Sequence, residues 1–273
     1  MTWTGIKETT IWKAVRKGKA KTTGFLIGAA TRHIILPRAF RLVVFAGLKR
    51  SGNHAFINWF LNQSHGPCAF FNHVPPHQYP TDRFRREFRL NNSSALPTVV
   101  FSYEDHNLSD IFNGALQDFI GHHATKIESR SACLILRDPR NLMASRFRKW
   151  PQEHLDTGKA DGLVNLWKDY AVHALEGRRP DPAFETVPVY YNHFITDAAY
   201  RTKLSQKLDI RDGVQGLDEV TSYGHGSSFS DTNQPDMKGI FKRWEHYEAD
   251  PSFQRLFADG TLCAFARRLE ALR

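Results

Sequence analysis

The pattern of its apolar runs limits this chain more than any other feature. Arg41-Leu-Val-Val-Phe-Ala-Gly47, Pro97-Thr-Val-Val-Phe-Ser-Tyr103, Ala132-Cys-Leu-Ile-Leu136 and Val187-Pro-Val-Tyr-Tyr191 are apolar without two-residue alternation. A strand of that kind is covered on both faces, which calls for a parallel sheet with helices above and below it. Helical spacing fills the gaps, from about Gly52 to Leu61, around Leu108–Ile120, Asn141–Trp150, Asp161–Glu176 and Asp197–Leu208. Strands alternating with helices predict an α/β fold, a three-layer sandwich with a central parallel sheet. Pro188 cannot donate to a ladder, so the fourth run belongs near a sheet edge. Leu262, Phe265, Ala266, Leu269 and Leu272 have helical spacing and predict a packed terminal helix.

The 273 residues suffice for one such domain over 41–273, preceded by a basic arm, 1–40. In the arm, Lys13, Arg16, Lys17, Lys19 and Lys21 form a positive cluster against a weak apolar set of Ile11, Trp12 and Val15. That composition reads as a solvated arm, with peripheral membrane contact as the alternative. The stretch Phe25 to Ala30 is too short to span a bilayer, and no signal-peptide core is present, so a soluble, cytoplasmic protein is expected. Cys68, Cys133 and Cys263 show neither CxxC nor metal-ligand spacing. Cys133, inside an apolar run, reads as a small core residue, and a reduced compartment fits. The excess of 37 basic over 28 acidic residues favours anionic partners, from nucleotides to acidic glycans. Gly224-His-Gly-Ser-Ser-Phe-Ser230 is the most loop-like stretch.

Two segments sharpen that preference. The first apolar run ends in Gly47-Leu-Lys-Arg-Ser-Gly-Asn-His-Ala55 and leads into a helix. A strand, a tight turn and a helix start aim several backbone N–H groups at one spot, and the helix dipole adds positive charge there, which suits a phosphate or sulfate. Gly52 permits close backbone approach, Lys49 and Arg50 add full charges, and Ser51 and Asn53 carry side-chain donors. His54 is open between lining the pocket and merely beginning the helix. The Walker pattern GxxxxGK[ST] is absent, which makes ATP hydrolysis a poor expectation.

The third run continues into Arg137-Asp-Pro-Arg-Asn-Leu-Met-Ala-Ser145 and Arg146-Phe-Arg-Lys-Trp150. Pro139 suits the first turn of a helix. Arg137 then ends a buried strand, at the edge where open α/β sheets bind ligands. Ser145, about two turns on, faces back toward the same place. An arginine with a serine hydroxyl makes a directional phosphate clamp. Arg146, Arg148 and Lys149 read as solvated helix residues.

These segments resemble the sulfotransferases that use 3′-phosphoadenosine 5′-phosphosulfate. That family carries a basic residue followed by Ser/Thr-Gly and two hydroxyl residues in its 5′-phosphosulfate loop, where this chain has Arg50-Ser51-Gly52-Asn53-His54; Asn53-His54 departs from the hydroxyl pair. The family's 3′-phosphate segment, Arg-x-Pro-x5-Ser, is matched by Arg137, Pro139 and Ser145. Met237-Lys-Gly-Ile-Phe-Lys-Arg-Trp244 looks like the late loop that sets a basic residue and glycine on the 3′-phosphate, through Lys238, Gly239 and Trp244. Tyr190-Tyr-Asn-His-Phe194 is a weaker echo of a Tyr-Glu-Asp segment. The resemblance spans about residues 41 to 248.

It implies a P-loop NTPase-like fold and transfer of a sulfuryl group from 3′-phosphoadenosine 5′-phosphosulfate, as co-substrate, to a hydroxyl or amine, a saccharide among the candidate acceptors. Arg50 takes the electrostatic role at the leaving group, helped by Lys49, and no metal is expected because fixed cations replace it. Arg137, Ser145 and Lys238, with Gly239, hold the 3′-phosphate. Trp59 and Trp244 are either adenine neighbours or core. A base is needed at the acceptor. Glu104 and His106, with Asp105 behind them, end the second run near where family members place one, and Glu104 stands closer to the strand's end. The rival readings are a nucleotide kinase or other phosphotransferase on the same fold, and a non-catalytic binder of nucleic acid or anionic glycan. No basic–aromatic nucleic-acid motif is present, so a nucleic-acid partner is not expected.

Overall fold

The computed structural model describes residues 39–83, 86–89, 93–217 and 239–271, without the side chains of 154 and 155. Residues 1–38 of the basic arm, the Gly224–Ser230 stretch and Lys238 lie outside the described residues.

The apolar runs form strands. β1 (Phe40–Gly47), β2 (Cys68–Phe71), β3 (Arg86–Arg89), β4 (Thr98–Glu104), β5 (Ile127–Leu136) and β6 (Glu185–Tyr190) make one α/β sheet in the order β3-β2-β4-β1-β5-β6, mostly parallel and flanked by helices. Pro188 does lie on an edge strand, β6, opposite Leu134 of β5. The sheet is mixed, not wholly parallel as expected, because β3 runs antiparallel to β2 with Cys68 opposite Arg89 and Phe71 opposite Arg86. β2 is four residues long and β3 is charged at Arg86, Glu87 and Arg89, so neither gives a strand signal in sequence. Charge on a short outer strand discourages pairing with other chains.

Between the strands lie α1 (Asn53–Gln63), α2 (Leu108–Phe112), α3 (Ala115–His123), α4 (Pro139–Lys149), α5 (Pro151–Leu155), α6 (Thr157–Glu176), α7 (Tyr191–Thr196) and α8 (Ala198–Leu208). After them come α9 (Pro251–Leu256) and α10 (Gly260–Ala271), the expected terminal helix, which packs on α6 through buried Leu262 and Leu269. The helical pattern over Leu108–Ile120 is broken into α2 and α3 at Gly114, which is extended and where a side chain would press on the carbonyls of Pro76 and Asp110. α4 begins as expected: Pro139 occupies its first turn, and Asp138 caps it by accepting from the Asn141 amide at 2.8 Å.

Among the described residues two compact units are distinguished. One comprises 39–44, 65–103 and 109–130, and the other 45–64, 104–108 and 131–271. The first packs around Phe119, whose ring lies 6.2 Å from Phe40 and 4.9 Å from Phe101. The second packs Phe45 against Phe56 and Phe60, and Trp59 against Phe194, all of them buried. Each such ring contributes about 1.5–3 kcal/mol by leaving water. Cys133 is buried in β5, beside Val187 of β6. No helix among the described residues is long and apolar enough to cross a membrane.

Candidate anion-binding active site

The site lies wholly within the second unit. β1 ends at Gly47, where a side chain would strike Asn53 Oδ1 and the carbonyl of Ile135. The chain then turns through two left-handed residues, Arg50 (φ 73°) and Gly52 (φ 90°), into α1. Gly52 is fixed twice over, by this backbone and by the Tyr191 ring, which occupies the space a side chain would need. Two buried guanidiniums hold the loop's carbonyls: Arg146 Nη1 donates to Lys49 O and Arg137 Nη1 to Arg50 O, each at 3.2 Å. With those oxygens engaged, the amides of Gly52 and Asn53 open α1 with no intrahelical acceptor. The helix dipole adds positive charge at the same point.

Asp105, left-handed at φ 61° just after β4, anchors the loop from the other side. It accepts from the Lys49 amide at 2.9 Å and from Arg146 Nη1 at 2.7 Å. Arg146 also meets Glu153 at 2.9 and 3.0 Å. Burial weakens Arg146 as a base, but Asp105 and then Glu153 more than restore it and hold its pKa above the ordinary value. Arg146 is therefore no solvated helix residue, in contrast to Arg148 and Lys149, which are exposed as expected.

A second feature is a convergence of cations on Ser145. The fully buried hydroxyl accepts from Arg50 Nε at 3.1 Å and from Arg243 Nη1 at 3.4 Å. Arg137 is buried and donates through Nη2 to Ile240 O at 2.6 Å, with its guanidinium 5.4 Å from the Tyr191 ring centre. Burial first, and then the nearby charge of Arg137, push the pKa of Arg50 down, against the pull of Glu104 and Tyr191. Burial likewise lowers Arg137 and raises the Tyr191 hydroxyl, on which Arg137, Arg243 and Arg50 act in the opposite sense. Like charges held together out of water are costly unless an anion joins them. Two buried donors, Ser51 Oγ and Arg137 Nε, make no hydrogen bond with the described residues, and they suit a phosphate or sulfonate oxygen.

The adjacent cations divide their work. Lys49 Nζ sits on Asp105 at 3.4 Å, whereas Arg50 joins Ser145. Asn53 is a brace, since its amide group donates to Leu48 O at 3.1 Å and to Glu104 Oε1 at 2.8 Å. His54 Nε2 approaches the same carboxylate oxygen at 3.7 Å. Glu104 is thus drawn to the loop, while His106 contributes its carbonyl as the acceptor for Tyr170 at 2.8 Å. Gly239 opens the short turn Gly239–Phe241 that presents Ile240 O to Arg137.

Trp59 is core: it is fully buried and its indole donates to Gly213 O at 2.8 Å, which removes it as an adenine neighbour. Trp244 instead lines a cavity of about 730 Å³ with Phe241, Asn192 and His193, and carries Arg140 at 5.4 Å from its ring centre. Sequence alone reads Arg146 as a solvated helix residue and Tyr191 as part of a weak echo, and gives Arg243 no part in the site. Arg243 stands inside the late motif, one residue before Trp244, and the contacts of Arg146 and Arg243 reach residues far away in the chain. Compared with known proteins, the chain matches no family model and no curated protein.

Proposed function

We propose that the protein is a sulfotransferase using 3′-phosphoadenosine 5′-phosphosulfate, built on a three-layer, P-loop NTPase-like domain. The observation that carries this reading is the meeting of Arg50 and Arg243 on Ser145, with Arg137 bound to the Arg50 carbonyl, beside a helix-start loop. Two anionic groups on one ligand fit the two halves of that arrangement. The loop from Lys49 to His54 takes the phosphosulfate, and Arg137, Ser145 and Arg243, with Lys238 and Gly239, take the 3′-phosphate.

The donor supplies an activated sulfuryl group, so the protein's task is alignment and charge stabilisation. Arg50 and the first amides of α1 stabilise charge growing on the leaving phosphate oxygen. Glu104, oriented by Asn53, accepts the proton of the acceptor hydroxyl or amine. Asp105 and Arg146 hold the loop while this happens.

Calorimetry tests the reading without an acceptor. 3′-Phosphoadenosine 5′-phosphate should bind at least about tenfold more tightly than adenosine 5′-phosphate, from one added charge-assisted contact of about 1.5–3 kcal/mol. Equal affinities would remove the 3′-phosphate clamp and the reading with it. Tighter, magnesium-dependent binding of ATP would point to a phosphotransferase instead.

A further inference from the structure

We propose that His54 and Glu104 work as a coupled proton relay, in which Glu104 takes the acceptor's proton and His54 carries it to solvent. The relay rests on the transfer reading above. It is drawn from two consecutive side chains at the start of α1 that approach the same carboxylate oxygen. Asn53 Nδ2 holds Glu104 Oε1 at 2.8 Å, and His54 Nε2 stands 3.7 Å from that atom. The first is a donor that cannot change its charge, and the second is titratable near neutrality.

Exposure sets the direction. The Glu104 side chain is 11% exposed and the His54 side chain 24%, so the carboxylate is enclosed and the imidazole is its more open neighbour. A carboxylic acid formed at Glu104 needs an outlet before the next turnover, and His54 provides one. Arg50 on the loop also acts on Glu104, and Asp105, the next residue in the chain, is engaged by Arg146 and Lys49. An imidazole at this place can both take up and release a proton.

The step balances. The acceptor oxygen bonds to sulfur as the bond from sulfur to the phosphate oxygen breaks, and the leaving phosphate keeps the electron pair. The acceptor's proton passes to Glu104, then through one bridging water to neutral His54 at Nε2, and finally to solvent. The pair returns to its starting charge.

Nuclear magnetic resonance of the full chain tests the relay by following the His54 ring through a pH titration. Replacing Glu104 by glutamine should lower the proton affinity of His54 by about tenfold or more, because an anion at this separation shifts an imidazole by about a unit or more. Adding 3′-phosphoadenosine 5′-phosphate to the wild type should raise that affinity by a similar factor, and this measurement needs no variant. In His54→Ala, release of labelled sulfate from the donor with water as acceptor should rise several-fold with added imidazole at constant pH. An unmoved His54 in a folded Glu104→Gln variant overturns the relay, as does a flat imidazole response. Tight nucleotide binding that leaves His54 unmoved also overturns it, with the transfer reading intact. Failure of the nucleotide to bind more tightly than adenosine 5′-phosphate removes both ideas, and calorimetry tells that failure from the others.

Discussion

Arg146→Met tests the ionic anchor under the loop. The substitution keeps much of the side-chain volume and removes the charge. In the native chain Arg146 is buried and bonded to Asp105, to both oxygens of Glu153 and to Lys49 O. Removing one member of a buried ion pair costs about 3–5 kcal/mol, because the partners stay behind uncompensated. Here Asp105 and Glu153 are 18% and 20% exposed, so water partly relieves them and the lower end applies. At about 2–4 °C per kcal/mol for a chain of this order, a loss of about 3 kcal/mol lowers the melting temperature by about 6–12 °C. Circular dichroism melts would measure it, with Arg148→Met on the exposed face of α4 as the control, expected within about 0.5 kcal/mol of wild type. If Arg146→Met melted within about 2 °C of that control, the network would not be holding the loop.

Gly52→Ala should cost about 1–2 kcal/mol from its left-handed backbone alone, and more from collision with Tyr191, and should abolish nucleotide binding even where the protein folds. Calorimetry with 3′-phosphoadenosine 5′-phosphate would check it. In steady-state kinetics with labelled donor, Arg50→Ala should lower kcat more than it raises the donor KM, because the leaving oxygen gains its charge mainly in the transition state. Arg137→Ala should raise the donor KM first; the reverse pattern would exchange their roles.

Much of the architecture could be read from the apolar runs, because strands covered on both faces leave continuous apolar sequence, as at Val43 to Ala46. Where burial is one-sided or the segment is short, the signal fades. β5 starts five residues before its apolar part, at Ile127, through Glu128 and Arg130, and β3 is charged along most of its length. The candidate site divides in the same way. Arg50, Gly52, Arg137 and Ser145 stand in local patterns whose geometry follows from strand, turn and helix. Arg146 and Arg243 depend on contacts across 41 and 98 positions of chain, to Asp105 and Ser145, and a linear pattern carries no trace of them. Asn53 illustrates a subtler limit. Its residue type allows donation to an anion, but a side chain spends its hydrogens on the nearest acceptors, here Leu48 O and Glu104.

Arg137 joins three parts of the chain with one side chain. One terminal nitrogen is committed to Arg50 O and the other to Ile240 O, leaving Nε for an incoming anion. Its orientation is settled before any ligand arrives. A guanidinium fixed in this way loses little rotamer freedom on binding, so little of the roughly 0.5–1.5 kcal/mol that immobilising such a side chain usually costs is subtracted from affinity. Lysine could restore the charge but not the bracing. At this position shape matters as much as sign, and on the proposed reading selectivity among anions would be set by a part that does not move to meet them.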